Sequence, residues 1–225
     1  MLKSKPSQAK SRRATVRDHV RRLSCLTVVA AINAAILTGC LSRPPLKKEL
    51  FLITDSTQAK TVKPVLGETL GIRHVTLAPQ FEGRSLVYRI SDTAYEVDPY
   101  AEFIIAPDRM IGSLTRQWLR ASGLFPDVAE PNSSVVATRW AELQVTEMYG
   151  DFRQANDMAA VVSMRFVLLG KGQGGQAKAA FSKMYSRRVR LQERTAGGVV
   201  RGLQQAFAEC FGALREDLLR TKSGE

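Results

Sequence analysis

The chain has 225 residues, with 33 Lys or Arg against 21 Asp or Glu and a formal net charge of +12. Three cysteines and two histidines exclude a disulfide-dense scaffold. An excess of positive charge spread over the whole chain would argue for an anionic partner such as nucleic acid, so its distribution decides what it means.

The charge is concentrated at the amino terminus. Residues 1–22 hold eight bases and a single acid, Asp18. An apolar stretch, Leu23 to Leu37, follows and is interrupted by Ser24, Thr27 and Asn33. Basic, then apolar, then small residues is the order of a secretory signal. The apolar part falls short of the roughly 20 residues that a spanning helix needs. It closes with Leu37-Thr38-Gly39-Cys40, which resembles the lipobox of bacterial lipoproteins: a branched apolar residue, two small ones that fit a peptidase, and a cysteine whose thiol takes the diacylglyceryl group. The expectation is a lipoprotein signal peptide over 1–39, cleavage between Gly39 and Cys40, and acylation of Cys40. A tether over 40–49, with Pro44-Pro45 and Lys47-Lys48-Glu49, then leads to a domain over 50–221 and a disordered tail over 222–225. Removing eight bases and one acid leaves 25 against 20, a net charge of +5 on the mature chain. The case for nucleic acid goes with the signal. Cys25 leaves too and Cys40 is acylated, so Cys210 has no disulfide partner within the mature chain.

In chain order, Leu50 to Ile53 reads as a first strand. Ile72 to Leu77 alternates and stops before Pro79, as a strand does. Leu86 to Ile90 and Ala94 to Val97 form a hairpin about Ser91-Asp92-Thr93. A helix starts at Pro107 or Asp108, aligns Ile111, Leu114, Trp118 and Ala121 on one face, and ends at Gly123. Val135 to Tyr149 is strand-like, with Ala141, Leu143, Val145 and Tyr149 on one side. Ala159 to Leu169 is apolar on both sides and reads as a central strand. Residues 177–185 fit a helix at least as well as a strand, and the strand is chosen on architecture and family resemblance. A long terminal helix aligns Val199, Leu203, Ala206, Phe207, Cys210, Leu214 and Leu218.

Catalysis has little footing. Gly170-Lys171-Gly172-Gln173-Gly174-Gly175 satisfies the dinucleotide pattern, but too little chain follows for a nucleotide domain, so a hairpin turn is the expectation. His74 is the one histidine past the signal, which leaves no metal centre of His and Cys. Asp92, Glu96, Asp98, Glu142, Glu147 and Asp151 are read as acids on solvated faces. Cys210 is read as a small buried hydrophobe. Between 171 and 201 eight bases face one acid, Glu193. Lys183, Arg187, Arg188, Arg190 and Arg194 in this run are the candidate surface for a protein partner or lipid headgroups.

Four stretches carry a family resemblance, from about Leu50 to Leu219: Phe51-Leu52-Ile53-Thr54; Leu86-Val87-Tyr88-Arg89-Ile90 with Tyr95-Glu96-Val97 and the helix ending Leu119 to Phe125; Glu142-Leu143 through Tyr149-Gly150-Asp151-Phe152; and the terminal helix. The chain thus resembles the ABC-type transport auxiliary lipoproteins, although Phe103 to Pro107 departs from the Tyr-Trp or Arg-Trp pair common there. The resemblance implies a single α/β domain, with a mixed, largely antiparallel sheet of about five strands packed by two main helices. It implies a non-enzymatic part of an MCE-type lipid transport system between the two membranes. Its partners would be an MCE-domain periplasmic protein and an ABC permease or related membrane protein, self-association being compatible with this; no cofactor is implied. Ser42, where an Asp would favour the inner membrane, points to the outer membrane. Two other readings stand beside it: an assembly lipoprotein of another outer-membrane machine, and an envelope enzyme built on the glycine run.

Overall fold

The computed structural model describes residues 47–54, 64–171 and 177–223. The signal, Cys40, most of the tether and the glycines at 172, 174 and 175 lie outside the described residues.

One long strand organises the sheet. This is β6, Arg139–Asp151. Along one edge it pairs antiparallel, over its whole length, with Ala159–Lys171 (β7), which pairs in turn with Ala177–Arg190 (β8). Along its other edge two strands lie end to end, both parallel to it. Leu70–Leu77 (β2) takes the first half and Ser85–Arg89 (β3) the second. A 3-10 turn at Pro79–Phe81 carries the chain between them. Tyr95–Phe103 (β4) forms the expected hairpin with β3, and Glu49–Phe51 (β1) lies parallel beside β4. Val128–Ala129 (β5) lies parallel beside the start of β2. Among the described residues the mixed sheet therefore has eight strands, not about five. The class is α/β as expected. Of these eight only β5 has no counterpart among the segments read as strands, because two residues are too few to show alternation.

Two helices cover one face. Pro107–Ser122 (α1) opens with proline in its first turn, where no amide partner is lost, and Asp108 there complements the positive helix end. Gly123 ends it at φ 66, a left-handed cap that a side chain would strain. Ile111, Leu114, Trp118 and Ala121 are all buried. Ala196–Ser223 (α2) buries the expected stripe from Val199 to Leu218 and continues to Ser223. Trp118 stacks on Phe211 with centroids 4.9 Å apart, so the helices share one core over the sheet.

Local departures from the pleat have physical causes. The register shifts between Val145 and Glu147, so strand phase reverses there. Ala141, Leu143 and Val145 face the helices, but Tyr149 turns to the opposite face, contrary to the sequence reading. It pairs with Val161 there, and Phe81 and Tyr95 cover it at centroid distances of 6.0 and 5.7 Å. Gly150 takes the helix side, where an added Cβ would lie 2.9 Å from Val199. In β4 the ladder breaks around Asp98-Pro99, and the Asp98 carboxylate accepts the amides of Tyr100 and Ala101 at 2.8 and 2.9 Å. A proline is tolerated at such a bulge because no ladder donor is needed.

α2 comes close to β7 at Gly202. A Cβ there would lie 2.6 Å from both the Ala160 Cβ and a Leu191 methyl. The Ala160 Cβ is fixed by its strand and has no rotamer to yield. Gly202→Ala should lose about 1–3 kcal/mol to overpacking and regain about 0.8–1.0 kcal/mol of helix propensity. Gly212, in the same helix, has no atom within 4 Å of its added Cβ, so Gly212→Ala should show the propensity gain alone. Denaturant unfolding should move in opposite directions for the two variants; shifts of one sign would show that α2 does not press on β7 at this point.

Candidate interaction surface

β8 is an outer strand, unpaired along one edge among the described residues. Strand pleating distributes its basic side chains over two faces. Lys183 and Arg187 lie on the helix side: Lys183 Nζ is 2.6 Å from Asp217 and Arg187 is 3.8 Å from Glu209. Arg188 and Arg190 lie on the other side. Arg188 bonds Asp151 at 2.6 Å and Asp157 at 2.8 Å, and Arg190 donates to the Asn156 carbonyl at 3.0 Å. Arg194, past the strand end, holds its guanidinium 4.9 Å from the Phe152 ring centroid. The five candidates thus do not share one face. Arg188, Arg190 and Arg194 gather about the 152–157 turn, and Lys183 and Arg187 flank α2. Charges along an open edge also hinder pairing with another strand. The strand reading of residues 177–185 holds. The helical pattern misleads because Ala180 and Met184 are exposed while Tyr185 faces α2, where its hydroxyl bonds Asp217 at 2.9 Å. Burial first, and then Asp217, raise the Tyr185 pKa.

Asp151 departs most from its sequence reading. It is 1% exposed rather than solvated. Arg153 donates to it through Nε at 3.0 Å and Nη2 at 2.9 Å, and Arg188 through Nη1 at 2.6 Å. Arg153 also reaches Asp92 at 2.9 Å, which ties the β3–β4 turn to the ends of β6 and β8. The Arg153 guanidinium beside Asp151 holds its carboxyl well below the usual range, against the opposing effect of burial. A cavity of ≈510 Å³ opens beside this cluster. Both guanidiniums are matched to carboxylates, which suits a clamp better than a site for a free anion. The nearby Asp-x-Arg spacing was the sequence signal available; the partner Arg188 is 37 positions away and was not legible.

The other candidate residues do not join this cluster. His74 is exposed on β2, in register with Glu142. Cys210 is buried on α2, and burial pushes its thiol pKa up to about 12. Glu147 accepts the Ser163 hydroxyl, which lies 2.8 Å from Ser186, in a polar seam on the face away from the helices. Asp98 accepts the Tyr88 hydroxyl at 2.7 Å. Among the described residues no group of three His, Cys, Asp or Glu could hold a metal, and no helix is long and apolar enough to cross a membrane. β7 leads to an antiparallel strand rather than a helix, so Gly170 does not open the strand-turn-helix unit of a dinucleotide site. A groove of ≈660 Å³ runs between β2 and the first half of α1, closed at one end by the Glu130 to Ala137 loop. Arg73 lies over Trp140 at 5.5 Å within it. Its lining comes from segments far apart in the chain and left no signature in sequence.

This arrangement is a mixed sheet with two helices on one face. The family of ABC-type transport auxiliary lipoprotein components matches residues 51–213. The chain belongs to that family. Comparison with curated proteins gives no match. Solved structures share the fold of this lipoprotein: a Xanthomonas campestris protein of the DUF330 family has 14% identity and a TM-score of 0.65, over 78% of this chain and 98% of its own. An uncharacterised protein has 17% identity and a TM-score of 0.58, over 76% of this chain and 99% of its own. The lipoprotein is accordingly an auxiliary component of ABC-type transport, associated with the cell envelope.

Proposed function

We propose that this lipoprotein is exported, acylated at Cys40 and held on the periplasmic face of the outer membrane, where it docks an MCE-domain lipid carrier without turning over a substrate. Family membership carries the reading. Among the described residues Cys210 is buried and His74 exposed, which supports a role without catalysis. A lipid crossing the periplasm must stay shielded, because each exposed methylene costs about 0.8 kcal/mol. A carrier spanning that gap needs a docking point at the receiving membrane, and a tethered domain supplies one. The basic end formed by Arg188, Arg190 and Arg194 is the candidate docking surface.

Site-specific photocrosslinking in cells tests this. Positions 190 and 194 should crosslink an MCE-domain protein, whereas Gln117, exposed on α1, should not. Crosslinks from the α1 side alone would move the docking surface. If no surface position crosslinks such a protein, and deletion leaves envelope lipid balance and detergent resistance unchanged, the transport reading falls. Anchoring has its own check: Cys40→Ser should leave an unacylated, mislocalised precursor. Intact mass of the wild-type protein from the membrane fraction should show acyl chains on a mature start at Cys40; a mass without them would sink the anchor.

A further inference from the structure

The exposed apolar side chains are not scattered evenly. Leu50 and Leu52 are 54% and 47% exposed, and Ile104 and Ile105 are 50% and 40% exposed. Register makes them neighbours. β1 pairs parallel with β4, Phe51 opposite Phe103, and the Ile104 amide continues the ladder to the Phe51 carbonyl at 2.9 Å. Phe103 is buried and Phe51 packs against the core. The pleat therefore turns the flanking Leu50, Leu52 and Ile104 outward together. Exposed Ile105 follows Ile104 toward the start of α1, which Pro107 opens. Between the leucines and Ile104 lies Glu102, whose carboxylate is occupied by Lys48 at 3.4 Å and Arg84 at 3.3 Å. The patch thus presents a lip of four large aliphatic side chains, with exposed Lys47, Lys48 and Arg84 at its border.

The lip begins close in sequence to the proposed anchor. Eight residues, Leu41 to Lys48, separate Cys40 from β1. Fully extended, such a segment reaches at most about 3.3–3.6 Å per residue, or roughly 30 Å in all. β1 is the first element among the described residues, so a lipid on Cys40 would keep it within that reach of the bilayer. Aliphatic side chains bordered by lysine and arginine match an interface whose acyl region lies beneath anionic headgroups. We propose that the Leu50–Leu52–Ile104–Ile105 lip rests in the membrane that carries the anchor and orients the domain on it, leaving the β8 side turned toward the periplasm. This deepens the docking reading and rests on its anchor.

The test uses the acylated mature chain reconstituted into phosphatidylethanolamine–phosphatidylglycerol vesicles. Leu52→Cys, Ile104→Cys and, as a control, Val136→Cys each take an environment-sensitive fluorophore; all three positions are exposed, so folding is not at stake. Cys210 is buried and its thiol is held protonated by burial, and an acylated Cys40 has no thiol to label. Labels at 52 and 104 should lose most of their fluorescence to lipids carrying doxyl groups on the acyl chains, while the label at 136 keeps its own. Equal, weak quenching at all three positions in protein that floats with the vesicles and carries acyl mass would overturn the lip and leave the anchor standing. Protein without acyl mass would overturn the anchor, and this proposal with it. Shielding of positions 52 and 104 before vesicles are added, together with a doubled mass, would assign the lip to a second copy of the chain and overturn membrane contact.

Discussion

Phe207→Ala should destabilise the domain by about 3–5 kcal/mol, the range for deleting a buried aromatic ring whose surroundings relax only in part. Phe207 is 1% exposed, and its ring centroid is 6.1 Å from that of Phe211, which stacks on Trp118 of α1. The ring lies in the core that both helices share with the sheet, so its removal leaves a space among packed neighbours. For a domain of this size each kcal/mol lowers the melting temperature by about 2–4 °C. The variant should melt well over five degrees below wild type, with a matching fall in denaturant midpoint at unchanged slope. Melting within a degree of wild type would show that α2 presents another face to the sheet.

The second large effect is expected at Asp151. Asp151→Asn keeps the shape and removes the charge, so Arg153 and Arg188 lose their shared carboxylate and meet an amide with donors of its own. Hydrogen bonds to charged groups contribute about 1.5–3 kcal/mol. The two arginine side chains are 34% and 40% exposed and regain water when the charge is gone, so the 3–5 kcal/mol of a fully buried broken pair is not reached. A loss of about 2–3 kcal/mol at neutral pH is the expected result. The sign with pH follows from the depressed carboxyl. Its stabilisation is complete above the unfolded value of about 3.9 and is lost as pH falls through the lower folded value. The gap between wild type and Asp151→Asn should thus be constant from neutral pH down to about 4 and narrow below it. A gap that stays the same to pH 2, or is absent at pH 7, would show that the clamp does not hold this end of the sheet.

What was legible in the sequence was local. Both helix stripes repeat every three to four residues; α1 also carries its own stops, Pro107 and Gly123, and could be placed to within a residue or two, whereas α2 starts three residues before its stripe and ends five after it. β7 announced itself because a strand with neighbours on both edges, a helix above it and long side chains below it is apolar on both faces. Residues 177–185 were ambiguous because β8 is an outer strand. Its outward face touches little, and the residues that mark a strand, Phe181, Tyr185 and Val189, stand out once β7 and α2 supply their partners. Asp151 looked like one more surface acid, since its burial depends on an arginine from another strand. Tyr149 was assigned to the wrong face because a single extra residue at the 145–147 bulge reverses every side chain after it.

The sequence by itself determined the two helices and which face each buries, left residues 177–185 between helix and strand, and sufficed for the family. It alone carries the expectation of a lipid on Cys40, because a signal and a lipobox are read as a linear peptide. The tertiary structure decided which strands neighbour one another, that β2 and β3 share one edge of β6, and that the basic run divides between two faces of β8. It also decided that Leu50, Leu52 and Ile104 form one lip. The physical reason is the same in each case. Helix periodicity and caps are set by bonds within a few residues, whereas strand pairing is set by partners up to tens of residues away, and with the pairing comes the choice of which side chains share a surface.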